Sequence, residues 1–419
     1  MKTQTADPSF DIRLIQPDET VAWFDALGTA FLERFDSAKI AQEVRPRWDY
    51  WRIWGAFEGD TVVGCWRSWA TELTLPGSGR APGSAVTTVG VRPTHRRRGI
   101  LSRMAAADHA ASRDRGETVA LLYAAEYPIY GRFGYGPAVT HATWTLDPVG
   151  VRFHEAATGS VELVKPSFEV AESMRAVFDA WRLRQPGEIS RREYTWQYDV
   201  GLLESGWGPT WKGFIALHRD AAGAVDGYVR YRAQEKWTKG QPRSVVELDE
   251  LHALTDAAYL ALWQFLANMD WVGSIKAERR SPAERLPWLL VNARAADVSG
   301  TGDGLWVKLI DVPGALAARG YEREGALVIE SVEGRGTSGE TRTRVALDAN
   351  LAGATCKPTK RAADLTLDVA ALSAAYLGGT RLRDAILANG GADEHRRGAL
   401  AEADALFATL DPPWCSTFF

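Results

Sequence analysis

A strand, a basic loop and the start of a helix form the first segment whose residue types could do chemistry. Val89 to Val91 ends a β-rich run, and Arg96 to Gly99 leads into an apolar helical pattern. A helix N-terminus offers several N–H donors and a partial positive charge, which together suit a diphosphate. The glycine permits close approach of the backbone, and arginines can pair with phosphate oxygens. The segment therefore predicts a phosphate-binding site, with a basic surface turn as the alternative.

A second segment, Ala125 to Gly136, has the sequence AEYPIYGRFGYG. Within it, Tyr130 follows a predicted strand by a few residues, which places it at the same sheet edge as the basic loop. A phenol of pKa about 10 can donate a proton to a departing thiolate whose parent thiol has a pKa of about 8.5. An aromatic packing turn is the alternative interpretation, and it fits Phe133 and Tyr135 better. The pattern thus predicts Tyr130 as a general acid.

The elements that must position these segments are predicted from hydrophobic periodicity and turn residues. They are a helix at Thr20 to Phe35, strands at Trp51 to Phe57 and Thr61 to Thr74, a loop at Pro76 to Ser84, a strand at Val86 to Val91, a helix at Ile100 to Arg115 and a strand at Val119 to Ala124. Gly90 inside its strand predicts a bulge or a close approach. The order of strand, loop, helix and strand predicts a βαβ unit with parallel strands.

A similar order returns in the second half of the chain. It consists of a helix at Val170 to Leu183, a hairpin from Gly213 to Leu217 and Val225 to Arg232, a strand at Val245 to Leu251, a helix at Ala257 to Met269 and a strand at Trp271 to Ala277. Where the first half has HRRRG, the second has HALTD, His252 to Asp256. We interpret this half as a degenerate repeat that has lost the basic loop.

The last part of the chain has a different pattern. The glycine-rich segment Gly300 to Gly304 predicts a linker or a loop. After it come the run LWVKLI at Leu305 to Ile310, predicted strands near Leu327 to Val332, Arg342 to Leu347 and Ala352 to Lys357, predicted helices at Val312 to Arg319, Val369 to Tyr376 and Arg396 to Leu410, and an apolar tail from Trp414 to Phe419. The chain is expected to form α/β and α+β domains with boundaries at residues 1–152, 153–296 and 297–419.

Composition excludes several classes of protein. The 419 residues carry a formal net charge of -4, which argues against a nucleic-acid-binding protein. The three cysteines, Cys65, Cys356 and Cys415, form no CxxC pair, and the seven histidines show no paired metal-ligand spacing. Met1 to Phe10 lacks the pattern of a secretion signal, and no apolar run is long enough to cross a membrane. We expect a cytoplasmic protein without a bound metal.

The two motifs together, VGV-x-PTHRRRG and IYGRFGYG, resemble the Eis (enhanced intracellular survival) family of acetyltransferases, and the closing CSTFF is similar to that family's C-terminus. The resemblance implies a GNAT-type acetyltransferase domain, a second degenerate one and a sterol-carrier-protein-like domain. It also implies acetyl-CoA as co-substrate, direct acetyl transfer to primary amines such as those of aminoglycosides, and a hexameric assembly.

The resemblance also assigns residues. Those expected to hold acetyl-CoA are Val89, Gly90, Val91, Arg97, Arg98, Gly99, Ile100, Leu101, Ser102, Ala125 and Glu126. The family's proton donor falls on Tyr130. Its base is the terminal carboxylate, here that of Phe419, for which a frayed chain end is the alternative.

Two departures and two rival functions stay open at this point. Leu101 stands where acetyltransferases generally have glycine or alanine. Phe418 carries no charge, so a polycationic acceptor would need acids elsewhere, and Glu33 is one candidate. The rivals are a carrier of apolar ligands with vestigial acetyltransferase domains and a protein lysine acetyltransferase. Cys415 as an acyl carrier is a further alternative to a packed thiol.

Overall fold

The computed structural model of the protein describes residues 10–419 apart from residues 205 and 207. Met1 to Ser9, which include most of the segment inspected for a secretion signal, lie outside the described residues. No helix in the described part of the chain is both long enough and apolar enough to cross a bilayer.

Residues 10–137 form the strands β1 (Asp11–Leu14), β2 (Ile53–Glu58), β3 (Thr61–Thr74), β4 (Arg80–Val91), β5 (Val119–Tyr123) and β6 (Tyr135–Pro137) and the helices α1 (Thr20–Phe31), α2 (Ser37–Val44), α3 (Ile100–Asp114) and α4 (Tyr127–Tyr130). The segment from 140 to 303 forms β7 (Thr140–Leu146), β8 (Ser160–Val164), β9 (Phe214–Arg219), β10 (Val225–Gln234), β11 (Trp237–Thr238), β12 (Gln241–Pro242), β13 (Ser244–Ala253), β14 (Val272–Arg280) and β15 (Ala296–Asp303), with α5 (Phe168–Arg182), α6 (Glu193–Asp199), α7 (Asp256–Ala267) and α8 (Leu286–Leu289).

The remaining elements are β16 (Leu305–Leu309), β17 (Gly325–Glu333), β18 (Thr341–Asn350), β19 (Gly353–Pro358), β20 (Leu365–Asp368), β21 (Ala392–Glu394), α9 (Val312–Ala318), α10 (Val369–Ala375), α11 (Leu382–Ala388) and α12 (Ala399–Phe407). The described strands assemble into a first sheet in the order β1-β2-β3-β4-β5-β16-β6, a second in the order β15-β7-β14-β13-β10-β9-β8, a small pair β11-β12, and a third sheet in the order β19-β18-β17-β20-β21.

The predicted βαβ unit is confirmed, because β4 and β5 pair in parallel with α3 between them along the chain. The predicted repeat is confirmed as well: β13 and β14 also pair in parallel and are joined by α7. Each half places its hairpin next to the first parallel strand, β2 and β3 beside β4 and β9 and β10 beside β13. The chain therefore contains two sheets with the same topology in this region.

The two sheets exchange strands across the expected domain boundaries. β7 follows the first sheet along the chain but pairs with β14 and β15 of the second. β16 follows the second sheet but lies between β5 and β6 of the first, and all five of its residues are buried. Its residues are apolar apart from Lys308, which pairs with Glu333, and such a run suits an interior strand of a sheet covered on both sides. The boundaries at 152 and 296 stay predictions.

Two predicted loops are wrong. Gly300 to Gly304 was expected to be a linker, but Ala296–Asp303 pairs with β7 along its whole length. A side chain at Gly302 would come within 3.2 Å of the His141 ring, so glycine allows the two strands to pack closely there. Likewise, much of the segment from Pro76 to Ser84 belongs to β4, which pairs with β3 from Arg80 onward. In both cases strand pairing outweighs local turn composition.

The first sheet is covered differently on its two faces. One face packs on α3 through a set of apolar residues that we call the helix-side cluster, which includes Ile100, Met104, Leu122 and Trp306. The other face packs on the third sheet and its helices through the tail-side cluster, which includes Trp69, Leu121, Leu327 and Phe407, with Phe419 packed against it. The C-terminal domain and the end of the chain thus share one face of the first sheet.

Candidate functional site

The first sheet splits between β4 and β5. The two strands pair only from Gly83 to Ala85 and from Val119 to Leu121. Beyond these residues β4 continues with β3 as far as Val91, and β5 continues with β16 as far as Tyr123. The backbone groups that face the gap are not paired across it, so an extended ligand with amide groups can pair with them. We call this gap the first cleft.

A bulge shapes the β4 side of the first cleft. The register of β3 and β4 shifts between Cys65 and Arg67, and Thr88 has a φ of 52°. The bulge therefore lies at Thr88 and Val89, next to the predicted position. At Gly90 the structure shows the other predicted feature, a close approach by another element. A side chain at this position would lie 2.8 Å from the Ala30 Cβ of α1.

The basic loop leads into α3, whose N-terminus has no side-chain cap and lies beside this bulge. Arg97 and Gly99 have φ values of 64° and 81°, and no side chain caps α3. The first helical hydrogen bond runs from the Arg103 N–H to the Gly99 carbonyl at 3.1 Å, so the N–H groups of the first turn point out of the helix. Among the described residues, the first turn of α3 holds no acid. The end is therefore electropositive.

The arginines of the loop point in different directions. An Arg96 Nη lies 3.5 Å from the Ala30 carbonyl, which directs that side chain toward α1. The Arg98 guanidinium lies 3.4 Å from the Glu58 carboxylate and 4.3 Å from the centre of the Phe10 ring. Arg97 is exposed. Arg97 thus presents its charge to solvent, while Arg98 shares its charge with an acid on β2.

Tyr130 ends the short helix α4 and is 7% exposed. Its ring meets Tyr135 edge to face at 6.0 Å between centroids. Burial, helped by the negative charge of Glu126, raises the pKa of Tyr130 to about 12. The phenol therefore stays protonated at neutral pH, the state required of an acid.

The structure gathers most of the sequence-predicted residues. Val89, Val91, Ile100, Leu101 and Tyr130 all belong to, or pack against, the helix-side cluster. Ala125 and Glu126 lie two and three residues after the end of β5 and are exposed, as is Ser102. Phe419 is the exception, because it packs on the opposite face of the sheet.

The tail reaches that opposite face by a route that the sequence did not indicate. It is held by Glu188, a fully buried carboxylate that accepts the Ser416 N–H and hydroxyl, each at 2.7 Å, and the Thr417 N–H at 3.3 Å. Arg191 donates to the Thr417 hydroxyl at 2.8 Å. Such charge-assisted hydrogen bonds in a buried setting fix the tail in place.

The last residues of the tail end at the first cleft. The hydroxyl of Tyr123, the final residue of β5, donates to the Thr417 carbonyl at 2.8 Å. Its ring lies 4.8 Å from Phe418 and 5.4 Å from Phe419, between centroids. Phe419 also meets Trp69 of β3 edge to face at 5.5 Å. The chain terminus is therefore packed among aromatic rings at the sheet edge.

Tyr130 and Phe419 approach the first cleft from opposite sides. Side chains along a strand alternate between faces, and in β5 Leu122 joins the helix-side cluster while Leu121 joins the tail-side cluster. Tyr123 has the parity of Leu121, and Phe419 packs on it. A molecule lying in the cleft would therefore meet Tyr130 from one face and the terminus from the other.

A cavity of about 260 Å³ opens beside this point and is lined by Tyr123, Ala124, His141, Arg279 and Phe418, among others. Burial, with the charge of Arg279, lowers the pKa of His141. The cavity thus contains a neutral imidazole next to the end of β5.

The second sheet splits at the equivalent place, but there the tail fills the gap. β13 and β14 pair from Ser244 to Leu248 and from Val272 to Ala277 and then separate. The Trp414 indole donates to the Arg279 carbonyl of β14 at 2.8 Å, and the Ser416 hydroxyl lies 3.2 Å from the His252 Nε2 of β13. We call this gap the second cleft.

Helix α7, which leads out of the second cleft, starts unlike α3. The Thr255 side chain accepts the Ala258 N–H at 3.1 Å, and Asp256 stands in the first turn. A capped, acidic helix start repels a diphosphate. This agrees with the interpretation of the second half as a degenerate repeat.

Sequence reasoning did not identify Tyr123, Trp69, Glu188 or Arg191 as site residues. Tyr123 could have been found, since it lies near the end of the predicted strand before the Tyr130 motif. Glu188 and Arg191 lie in a segment without a motif, and only the path of the tail reveals them.

The structure also locates two residues that the sequence left as alternatives, Glu33 as an acid for the acceptor and Cys415 as an acyl carrier. Glu33 is exposed after α1, and no contact of its carboxylate with the tail occurs within the described residues. Cys415 is buried with its Sγ 3.3 Å from the Thr417 carbonyl, and burial raises the pKa of this thiol. A protonated, enclosed thiol suits packing rather than acyl transfer. No group of three His, Cys, Asp or Glu side chains placed to hold a metal is found in the described part of the chain.

Comparison with known proteins matches each part of the chain. Two models described as acetyltransferase (GNAT) domains match residues 11–138 and 187–307, and a sterol carrier protein domain model matches 312–416. An uncharacterized N-acetyltransferase of Streptomyces griseus is 39% identical over 98% of this chain and 100% of its own. N-acetyltransferase Eis of Mycobacterium tuberculosis is 35% identical, covering 90% of this chain and 86% of its own. The crystal structure of Eis1 from Mycobacterium abscessus aligns with a TM-score of 0.82 and 31% identity over 98% of this chain and 100% of that one.

Proposed function

The chain belongs to the Eis family of GNAT-type N-acetyltransferases, and we propose that it transfers the acetyl group of acetyl-CoA directly to a primary amine within a ternary complex. The observation that carries the proposal is the first cleft, which opens beside an uncapped helix N-terminus and lies between Tyr130 and the chain terminus. One gap in the sheet thus adjoins a diphosphate site, an acid and a carboxylate.

The residues around the first cleft fit acetyl-CoA in charge and shape. The free N–H groups of Ile100, Leu101 and Ser102, with the freedom that Gly99 gives the loop, would hold the diphosphate. Arg97 and Arg98 would add positive charge. Val89, Gly90 and Val91 would pair with the pantetheine amides through the unpaired edge of β4, and Ala125 and Glu126 would border the opposite side. Acetyl-CoA supplies the thioester whose carbonyl carbon the amine attacks.

Tyr130 would act as the general acid. When the bond between the amine nitrogen and the carbonyl carbon has formed, the carbon–sulfur bond breaks and the phenol donates its proton to the sulfur. A phenol of pKa about 12 is a weak acid, but the hydrophobic surroundings that raise its pKa also disfavour a bare thiolate. N–H groups near Val91 would meet the negative charge that develops on the carbonyl oxygen.

The terminal carboxylate of Phe419 would orient the amine. An α-carboxylate has a pKa of about 3.3–3.7, which makes it a weak base for an ammonium group. It can hold the cationic amine at the cleft and accept its proton through water. Holding both reactants in one geometry would account for much of the rate.

Aminoglycosides are amine acceptors to test first, because the resemblance that identifies the family implies them. The same resemblance implies a hexamer. Large exposed aromatic side chains support an extensive subunit interface: Trp288 is 85% exposed and Trp271 65%. Mass photometry would show a hexamer as one species at six times the chain mass, and a monomer would contradict this part of the proposal.

Isothermal titration with acetyl-CoA, followed by an acetyl-transfer assay, tests the function. Binding at one site per chain is expected, together with transfer to some member of a panel of aminoglycosides, polyamines, arylamines and lysine peptides. A carrier of apolar ligands with vestigial domains would bind no acetyl-CoA. Transfer to lysine peptides alone would favour a protein acetyltransferase.

A further inference from the structure

Two arginines on the tail side of the first sheet have no anionic partner among the residues that the structure describes. Arg67 lies on β3, and Arg192 lies between the Ser190 backbone and α6. The Nε atoms of both side chains are buried without a hydrogen-bond partner, and neither guanidinium forms a salt bridge with any described residue. The neighbouring Arg191, by contrast, is paired with Glu250 and Asp199. Arg192 therefore differs from the structural arginine next to it.

Both arginines face the tail side of the first sheet. Arg67, Trp69 and Thr71 share one face of β3, and the Thr71 hydroxyl donates to the Ser190 carbonyl at 3.1 Å. The Arg192 Cζ lies 4.5 Å from the centre of the Trp69 ring, whose edge meets Phe419. Arg67 pairs across the ladder with Thr87 of β4, which borders the first cleft. Arg192 thus lies one aromatic ring away from the terminus, and Arg67 lies on the same face of β3 two residues before that ring.

Several donors meet here without an acceptor. The Trp69 indole N–H is also buried and unpartnered, and the Trp69 side chain is 4% exposed. Arg67 lies over the Trp48 ring at 4.9 Å and Arg192 over the Tyr194 ring at 4.6 Å, so aromatic faces provide their only partial compensation among described contacts. Buried donors and cations are costly to leave unsatisfied.

The electrostatics of the pair support the same conclusion. Burial, together with the charge of Arg192, lowers the pKa of Arg67 to about 9. Burial lowers the pKa of Arg192 as well. Asp49 attracts both guanidinium groups but forms a salt bridge with neither, and within the described residues the Phe419 carboxylate forms none. An additional anion would restore the balance of charge.

We infer that Arg67 and Arg192 bind an acidic group of the acceptor, an inference that rests on the proposed function. The preferred substrates are then amines that also carry a carboxylate or a phosphate. The guanidinium fork suits either anion. The Trp69 N–H adds a third donor, and the terminal carboxylate next to it would hold the amine end of the same molecule. A zwitterionic acceptor would thus match one negative and two positive groups of the protein.

Matched acceptors test the inference. The panel consists of ω-aminocarboxylates of increasing length, alkylamines of the same lengths, and phosphoethanolamine with ethanolamine. The wild-type kcat/KM should favour the acidic member of a pair by about 10-fold or more, the range expected for hydrogen bonds to a charged group. The phosphate and carboxylate arms show which anion the site prefers.

Variants connect the preference to the two side chains. Arg67→Met and Arg192→Met should bring the ratio of kcat/KM for acidic and neutral amines close to one, while kcat/KM for the neutral amines stays within about 3-fold of wild type. Arg192→Lys should keep part of the preference, because lysine retains the charge but lacks the guanidinium fork. Arg294→Met, at an exposed position, is the matched control and should change nothing. Should Arg67→Met fold poorly, Arg192→Met carries the test.

Equal turnover of acidic and neutral amines by the wild type would overturn the anion site and leave the proposed function standing. Absence of transfer to any amine would contradict the proposed function instead. In that case the anion site is tested by titrating the protein with an ω-aminocarboxylate in the presence of CoA. If the wild type binds the compound and Arg192→Met does not, the site is supported. If the wild type does not bind it, the site is overturned.

Discussion

The two acetyltransferase domains share one topology but differ at their clefts, in the helix start beside each cleft and in whether the tail occupies it. In the first domain β4 and β5 separate beside Gly99, which starts α3 without a side-chain cap. In the second, β13 and β14 separate beside Thr255, which caps α7, and Asp256 adds an acid. The tail occupies the second cleft and ends at the first. A cap, an acid and an occupying segment therefore distinguish the second cleft from the first.

The comparison also indicates a structural role for the second domain. Its cleft provides a rigid seat for the tail, since β13, β14 and Glu188 contact Trp414 and Ser416. A chain end held by a packed domain keeps its terminal group within reach of a reaction, whereas a free end would move. The second domain thus contributes to the proposed site of the first by positioning rather than by binding a co-substrate.

The largest expected effect follows from closing the uncapped helix start. Gly99→Asp should weaken acetyl-CoA binding by about 100-fold or more, because it places a carboxylate where the diphosphate would be held. The φ of 81° at this position adds backbone strain for any residue other than glycine. Isothermal titration measures the change.

The control for this variant lies in the second domain. Thr255→Ala removes the cap of α7 and should lower the free energy of unfolding by about 1–2 kcal/mol while acetyl-CoA affinity stays the same. The Thr255 hydroxyl also donates to Asp226 at 2.7 Å, so the upper part of that range is expected. If both variants lowered the affinity alike, the two helix starts would not differ in function.

The second-largest effect should come from the tail. Extending the chain beyond Phe419 by several residues should lower turnover by about 100-fold, because the new residues displace the terminus from a site where small misplacements are costly. Steady-state kinetics on a C-terminally extended protein measure it, and the same extension at the N-terminus is the control. Full activity after extension would remove the carboxylate from the mechanism.

Tyr130→Phe should lower kcat by at least about 10-fold at unchanged acetyl-CoA affinity, since only the proton donor is lost. Tyr127→Phe, three residues earlier and 56% exposed, is the matched control. Stopped assays with a saturating amine give the comparison. A Tyr130→Phe enzyme with the wild-type rate would show that the thiolate leaves without this acid.

The smallest effect concerns pH. Because burial and Glu126 raise the pKa of Tyr130 to about 12, its phenol should stay protonated and kcat should not fall with a pKa of 10 or lower. Glu126→Gln removes a negative charge, so the pKa of Tyr130 should decrease and the alkaline fall should begin at a lower pH. An alkaline limb that shifts the other way would assign the titration to a different group.

The motifs predicted much of the site because its first part is local in the chain. A strand, a glycine loop and a helix start lie within consecutive residues from Val89 to Ser102, and each is specified by residue types that only a few backbone conformations accommodate. The same locality made the repeat recognisable, since β13, α7 and β14 show the periodicities of β4, α3 and β5. Leu101 could be read only as a departure, yet it packs against the helix-side cluster.

By itself the sequence determined the order of the elements in the two βαβ units, their parallel strands, the basic loop before α3 and the place of Tyr130 shortly after β5. Only the tertiary structure decided that Gly300 to Asp303 belongs to a strand, that β16 returns to the first sheet, and that Glu188 and Tyr123 hold the tail. Those features join residues far apart in the chain, and their free energy comes from pairing and burial between distant segments, which no local pattern of residues specifies.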